Sequence, residues 1–294
     1  MYYTAKKELL TVLYRYIMLT PEQVALILHY HIKTVYGAAR HLKREGDLTS
    51  LPLPFRREHH VGYVLTAKGA KAAARICGEE DQYRVGEWTA DPVQLEHGFG
   101  INAFFTDLIR HSLAQPGEGL SEWLGTREAT DRYVQVKPSG RKARPVKPDG
   151  FGSYVFPGRG RLVFHLEYDT GTENLWRLKE KMVHYAELLP QLWPQVEAVH
   201  VLFVTKVSSR PKALIEIWEV LCRDMFGGDR LPCVWTIAEN EWERAGMEQA
   251  AWQGAGGRKL PLRELPLFAL PLSSQEGFLL IGKQQREPSP MKGR

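Results

Sequence analysis

The sequence predicts an α+β protein in two parts, an N-terminal winged helix-turn-helix followed by an α/β domain with a mixed sheet. The length of 294 residues suits two domains. Residues 1–78 carry helical apolar periodicity, whereas apolar β runs alternate with amphipathic helical patterns after residue 149. The charge is also uneven, since residues 1–78 hold 12 Lys/Arg and 5 Asp/Glu, a net +7, and the remainder carries −2. The N-terminal part is therefore the part that we expect to meet a polyanion.

The N-terminal part contains helical patterns whose ends are marked in the sequence. Thr20 is a good N-cap, Pro21 suits the first helical position, and Gln23 completes a capping box. The next pattern, TVYGAARHLKREG, ends at Gly46, a residue type common after helix C-termini. The strand-like GYVLT and the helical TAKGAKAAARI follow. Three helices, a two-stranded hairpin and a closing helix make a winged helix-turn-helix.

The helix that ends at Gly46 has a cationic side opposite its apolar side. We expect this side to enter the major groove of double-stranded DNA, with arginines of the wing on the backbone or in the minor groove. The predicted DNA-binding residues are Lys33, Thr34, Tyr36, Arg40, Lys43, Arg44, Arg56 and Arg57. The same fold also serves protein docking, in which case these charges form a solvated face.

Composition shifts divide the chain into segments. We expect a winged helix over residues 1–78, a polar linker over 79–92, the α/β domain over 93–257, and a C-terminal arm with a flexible tail over 258–294. The polar GEEDQYRVGEWTADP interrupts the helical periodicity. Repeated Leu-Pro pairs in the last segment exclude a central strand.

The α/β domain places acids inside strand-like runs. Asp149 opens one predicted strand, and Glu167 and Asp169 lie in the next, LVFHLEYD. Side chains two residues apart share one face of a strand, so Glu167 and Asp169 point the same way, and the hairpin can bring Asp149 beside them. Three carboxylates at one end of a sheet suit Mg²⁺ or Mn²⁺. Such an ion can activate a water and stabilise charge on a scissile phosphate.

The same acids also have a structural interpretation. Buried carboxylates usually pair with cations. The candidate partners in the sequence are Lys181, Arg177 and Arg210. Metal binding, ion pairing and solvent exposure therefore remain alternatives for these acids.

Short motifs in a fixed order resemble the replication-relaxation family of plasmids and mobile elements. Spanning residues 20–210, they are LTPEQVALIL, TVYGAARHLKREG, YVLTAKGA, LEHGFGINAFF, KPDGF, LEYDTGTENLWRLKEKMVHY and VLFVTKVSSR. Pro148–Asp149 followed by LEYD also resembles the PD-(D/E)xK nuclease pattern. The resemblance implies a winged helix joined to a restriction-endonuclease-like domain, with a role in plasmid replication, DNA relaxation or mobilisation.

The nuclease resemblance implies roles for individual residues. Asp149 and Glu167 would be metal ligands, and Glu128 would be an additional acid from the preceding strand. Asp169 stands where the nuclease pattern usually has Lys, so either Lys181 takes that role or the centre is degenerate. Two functions follow: Mg²⁺- or Mn²⁺-dependent nicking or cleavage of DNA, or an inactive DNA-binding accessory factor or regulator that recruits a replication or mobilisation protein.

Other functions are disfavoured by the sequence. It has no GxxxxGK[ST] loop, no strand–GxGxxG–helix unit and no GxSxG elbow. The scattered Cys77, Cys222 and Cys233 predict neither a disulfide framework nor a cysteine zinc site. No apolar run approaches the ~20 residues of a membrane span. The N-terminus lacks a signal-peptide core, so we expect a cytoplasmic protein without a membrane partner. The sequence does not predict the oligomeric state.

Overall fold

A computed structural model describes residues 2–54, 61–80, 92–134, 146–192, 199–226 and 232–267. Within these ranges the chain forms a small N-terminal sheet with its helices, followed by a larger mixed sheet with helices on both faces. The predicted α+β fold class, with a winged helix-turn-helix before a mixed-sheet domain, is confirmed. The exact domain boundaries stay predictions.

The N-terminal part has the element order of a winged helix. Its helices are α1 (Tyr2–Tyr16), α2 (Pro21–Leu28), α3 (Ile32–Glu45) and α4 (Ala67–Cys77). Its strands are β1 (Met18–Leu19), β2 (Leu48–Pro52) and β3 (Val61–Leu65). β3 lies between β1 and β2 and is antiparallel to both. β2 and β3 form the predicted wing, and the wing loop with Arg56 and Arg57 lies outside the described residues.

The predicted start of α2 is confirmed in atomic detail. The Thr20 hydroxyl accepts from the backbone N–H of Gln23, and the Gln23 side chain accepts from the backbone N–H of Thr20, so the capping box is complete. His29 ends α2 in the left-handed conformation, and His31 caps α3 by accepting a backbone N–H of its first turn. The turn between the two helices is therefore fixed by caps at both of its ends.

The larger sheet is built from the elements after residue 92. Its helices are α5 (Pro92–Ser112), α6 (Thr126–Val134), α7 (Leu175–Leu192), α8 (Arg210–Met225) and α9 (Glu239–Gln249). Its strands are β4 (Gly119–Gly125), β5 (Gly150–Phe156), β6 (Gly160–Asp169), β7 (His200–Thr205), β8 (Cys233–Ala238), β9 (Ala251–Gly254) and β10 (Lys259–Pro261). The strand order is β10-β9-β8-β7-β6-β5-β4. The pairs β6–β7 and β7–β8 are parallel, and the other pairs are antiparallel.

Different helices cover the two faces of this sheet. Val163 and Phe203 lie on the face that packs against α7 and α8. Leu166 and Leu202 lie on the opposite face, which packs against α5 and α9. β6 and β7 are buried on both faces, which is why their sequences are almost continuously apolar. An ionisable side chain in the buried part of either strand, the C-terminal Asp169 of β6 included, is therefore removed from water.

The winged helix packs against the larger sheet through α5. Met18, Leu53 and Val64 of the winged helix form one buried cluster with Leu95 and Phe99 of α5. This apolar contact joins the wing sheet to the helix that covers the larger sheet.

Polar and aromatic contacts reinforce this packing. The Asn102 side chain of α5 donates to the backbone carbonyls of Tyr16 (3.1 Å) and Met18 (2.6 Å). The Tyr16 ring also stacks on Trp123 of β4, with ring centroids 3.8 Å apart. α5 is thus in contact with both parts of the protein.

One sequence expectation is corrected by the elements. Glu128 is expected to come from a strand, but β4 ends at Gly125 and Glu128 lies in the first turn of α6. β10 lies within the segment assigned to a C-terminal arm, where it pairs with β9 alone among the described strands. This edge position tolerates Pro261, which lacks a backbone N–H.

None of the helices in the described ranges combines the length and the apolar character that crossing a membrane requires.

Candidate acidic centre and DNA-binding face

The alternation of β6 positions Glu167 and Asp169. Odd-numbered residues of this strand face α7 and α8, as Val163 does, and even-numbered residues face α5 and α9. Both carboxylates are buried, with 2% and 4% of their residue surfaces exposed. Each therefore needs a partner from α7, α8 or the loop after the strand.

Asp149 lies at the rim of the sheet, immediately before β5. Its backbone N–H donates to the Leu166 carbonyl (3.1 Å) and so anchors it beside β6. Its Oδ2 accepts from the backbone N–H of Tyr168 (2.8 Å) and lies 3.0 Å from Nε2 of His97 on α5. α5 approaches this closely because of Gly100, where a Cβ would lie 2.0 Å from the Tyr168 ring. Gly100, the second glycine of LEHGFGINAFF, thus allows the close packing of α5 on β6.

Two side chains of α7 donate to Glu167. Lys181 Nζ donates to Oε2 (2.9 Å), and the Tyr185 hydroxyl donates to Oε1 (2.5 Å). The donors are four residues apart and so share one face of α7. Lys181 also lies 3.2 Å from the Glu173 carboxylate. Asp149, Glu167, Lys181 and His97 together form the acidic centre.

Burial and neighbouring charges set the ionisation of the acidic centre. Burial, together with the charge of Asp149, raises the pKa of Glu167 to about 7, although Lys181 opposes this shift. Burial also opposes ionisation of Asp149, but His97 and Lys181 outweigh it and lower the pKa of this carboxyl. Burial likewise disfavours charged His97, but Asp149 outweighs it and raises the pKa of the imidazole. Asp149 and His97 therefore favour each other's charged forms.

Asp169 does not join the acidic centre, which corrects the predicted metal triad. Its Oδ1 accepts from the backbone N–H of Gly171 (2.9 Å), and its Oδ2 lies 2.7 Å from Arg210 Nε of α8. The ion pair is close, but neither atom makes an aligned hydrogen bond there. Burial raises the pKa of Asp169, although Gly171 and Arg210 oppose the shift. Asp169 contacts Arg210 of α8 and does not join Asp149 and Glu167.

Glu128, the expected additional acid, pairs elsewhere. It lies in α6 and contacts Arg15 of α1 at 3.3 Å. Burial raises its pKa, and Arg15 opposes this shift. Its contact joins the winged helix to the larger sheet, so the expectation that Glu128 belongs with the acids of β6 is wrong.

The acidic centre has the donor chemistry of a metal site but the contacts of an ion-pair network. Asp149 and Glu167 supply the hard oxygens that Mg²⁺ and Mn²⁺ prefer. Lys181 and Tyr185 already occupy the two oxygens of Glu167. Across the described ranges, no group of three or more His, Cys, Asp or Glu side chains could hold a metal ion. A divalent cation would therefore have to replace Lys181 or Tyr185 as the partner of a Glu167 oxygen.

Three contacts around the acidic centre are not predicted by the sequence. Tyr185 resembles an ordinary core residue of α7, Glu173 belongs to no chemical motif, and His97 at a helix start is more often structural. The i, i+4 spacing of Lys181 and Tyr185 is a signal that could have identified Tyr185 as a partner of Glu167. The contact of His97 with Asp149 depends on how α5 packs against β6, and the sequence alone does not specify that packing.

α3 presents the predicted cationic face to solvent. Its exposed residues include Lys33, Tyr36, Arg40, Lys43 and Arg44, whereas Thr34 is half-buried. Lys43 Nζ donates to Ser50 (2.9 Å) and lies 5.0 Å from the Tyr63 ring centroid, which ties α3 to the wing strands. Lys33 and Arg40 have no carboxylate partner among the described residues, and both project a charge into solvent.

The chain thus combines a winged helix-turn-helix with a mixed sheet that carries a carboxylate–lysine centre. The chain belongs to the replication-relaxation family, whose model matches residues 10–199. The resemblance found in the motifs is thereby confirmed. The membership gives the chain a DNA-associated role in replication or mobilisation.

Two solved structures are similar to parts of the chain. An apo-form mutant of Lactococcus lactis ZitR is 18% identical, and the match covers 38% of this chain and 83% of that chain with a TM-score of 0.25. A disulfide-formed AbfR is 11% identical, and the match covers 37% and 71% with a TM-score of 0.23. Scores this low carry no argument about function. A comparison with curated proteins gives no match.

Proposed function

We propose that the chain binds double-stranded DNA through α3 and the β2–β3 wing, as a factor in plasmid or mobile-element replication or mobilisation. The exposed cationic face of α3 is the observation that carries this proposal. The helix is capped by His31 at its start and by Gly46 at its end, so its cations are presented on a rigid element. The net charge of +7 on residues 1–78 adds a sequence-independent attraction to phosphates.

Arg40→Ala and Lys33→Ala test this function. Each variant removes an exposed cation of α3, so affinity for duplex DNA should fall, and the salt slope should fall by about 1 for each phosphate that is no longer neutralised. Fluorescence anisotropy over a salt series measures both quantities. Lys71→Ala, which removes an exposed cation of α4, is the matched control and should leave both unchanged. Unchanged affinity in both α3 variants would remove the recognition helix from this proposal.

A second candidate function is metal-dependent nicking or cleavage of DNA. It is favoured because Asp149, Glu167 and Lys181 lie close together in the acidic centre. A Mg²⁺ or Mn²⁺ ion held by the two carboxylates would supply Lewis-acid activation of a phosphodiester. Lys181 lies where its ammonium can stabilise charge that develops on a phosphate bound there. His97 and Tyr185 orient the two carboxylates through hydrogen bonds.

Incubation of supercoiled plasmid with Mg²⁺ or Mn²⁺ tests the second candidate. Nicking by the native protein that vanishes in both Asp149→Ala and Glu167→Ala supports it. Asp131→Ala, which removes an exposed acid of α6, is the matched control and should nick normally. Duplex binding without nicking indicates instead an accessory factor that recruits a replication or mobilisation protein.

A further inference from the structure

One arginine of α8 holds the loop between β6 and α7. Arg210 Nη1 donates to the Gly171 carbonyl (3.1 Å), and Nη2 donates to the Glu173 carbonyl. Nε of the same guanidinium lies 2.7 Å from Asp169 Oδ2. The planar fork of arginine can direct three nitrogens toward three successive points of the loop, which a lysine ammonium cannot.

The loop is also restrained from within. Asp169 Oδ1 accepts from the backbone N–H of Gly171, which has a φ of +88°. A Cβ at this glycine would lie 2.5 Å from Cγ2 of Val207. The left-handed backbone and the close neighbour both require glycine here. The carboxylate and guanidinium therefore act on a loop with little room to rearrange.

Glu173 connects this loop to the acidic centre. Its backbone carbonyl accepts from Arg210, and its carboxylate lies 3.2 Å from Lys181 Nζ. Lys181 in turn lies 2.9 Å from Glu167. The lysine side chain is one-third exposed, so two carboxylates rather than dense packing hold its ammonium in place.

We propose that Arg210 and Asp169 are positioning residues that clamp the β6–α7 loop so that Glu173 holds Lys181 against Glu167. Asp169 stands where the nuclease pattern usually has Lys, and it acts on the replacement lysine indirectly. Any effect of this clamp on catalysis rests on the second candidate function, metal-dependent nicking or cleavage of DNA. The position of Lys181 is measurable without any activity.

The test compares native full-length protein with Arg210→Lys, Glu173→Gln and the control Lys212→Gln, which changes an exposed cation of the same helix. The readouts are acylation of Lys181 relative to exposed Lys179 by an amine-reactive ester, and hydrogen exchange over residues 170–176, both by mass spectrometry. Arg210→Lys should raise relative Lys181 labelling roughly fivefold and speed the exchange, because hydrogen bonds of a charged group are removed. Glu173→Gln should raise the labelling and leave the exchange unchanged.

The outcomes separate the clamp from the activity. Native Lys181 labelling in a folded Arg210→Lys protein would overturn the proposal, and so would native labelling in Glu173→Gln, which keeps the loop backbone contacts. If the native protein does not nick plasmid, the second candidate function fails while the labelling still decides the clamp. If it nicks, Arg210→Lys should lower the nicking rate at saturating DNA and leave the Kd for duplex unchanged.

Discussion

His200 illustrates how a single side chain fixes a proton inside the sheet. It is fully buried in β7, where Nδ1 accepts from the indole N–H of Trp235 (3.0 Å) and the Nε2–H donates to the Pro266 carbonyl (2.7 Å). The indole nitrogen can only donate, so Nδ1 must be unprotonated and the imidazole neutral. Burial accordingly lowers the pKa of His200 to about 4, although the Pro266 carbonyl opposes this shift.

Acid should therefore destabilise the native protein through His200. Between its folded pKa of about 4 and its ordinary pKa of 6.5, the unfolded chain binds more protons at this site than the native state. The free energy of unfolding should fall by up to about 3 kcal/mol from this group as the pH drops through that window. Urea unfolding at a series of pH values, compared with His200→Gln, isolates the contribution of this group. Glutamine keeps both an acceptor and a donor, so its curve should be flatter, and parallel curves would contradict the assignment.

Single residues also mark the limit of prediction at the acidic centre. Strand alternation places Glu167 and Asp169 on one face, and helical periodicity offers Lys181 as a partner. Asp169 shares that face, but its carboxylate pairs with Arg210 of α8 and not with Lys181. The sequence indicates Arg210 among the possible partners but does not say which acid it meets, since that depends on how α7 and α8 pack side by side.

Elements with strong local signals were predictable. α2 and α3 were defined by caps and periodicity, and β6 by its apolar run. α6 was not predicted, because its Thr and Val residues favour strands by propensity. Contacts with other parts of the chain stabilise the helix instead. Thr126 donates to the Asp149 carbonyl (2.8 Å), and Ala129 is buried against the sheet. β9 and β10 are short strands whose pairing with the sheet edge has little local signal.

The capping box of α2 should contribute measurable stability. Thr20→Ala removes the acceptor for the Gln23 backbone N–H and leaves a buried donor without its partner. The free energy of unfolding should fall by about 1 kcal/mol, the usual cost of losing such a cap. Chemical denaturation measures the change. Thr4→Ala, at an exposed position of α1, is the control and should be nearly neutral, whereas equal effects in both variants would mean that the box contributes nothing.

At the scale of the whole molecule, the winged helix and the larger sheet share α5. Phe99 of this helix packs with Met18 of the wing sheet, and His97 in the same helical turn contacts Asp149. The residue between α1 and β1, Ile17, has a φ of +64°, so the chain leaves regular structure there. The Asn102 side chain satisfies the carbonyls on either side of it, those of Tyr16 and Met18. The winged helix is thus joined to the acidic centre by packing as well as by the chain.

Because the two parts pack together in this way, we expect them to unfold in a single cooperative transition. One substitution at the contact should split that transition into two. Asn102→Ala removes both donors to the Tyr16 and Met18 carbonyls, and a buried acceptor left unpaired costs about 1–3 kcal/mol. That cost falls on the contact between the two parts, so the single calorimetric transition expected of the native protein should separate into two. Thr106→Ala is the matched control, since its hydroxyl, among the described residues, bonds the backbone carbonyls of Asn102 and Ala103 within α5 alone. The control should lower the Tm without splitting the transition. A single lowered transition in both variants would mean that Asn102 stabilises α5 alone, and that the winged helix and the sheet unfold together for another reason.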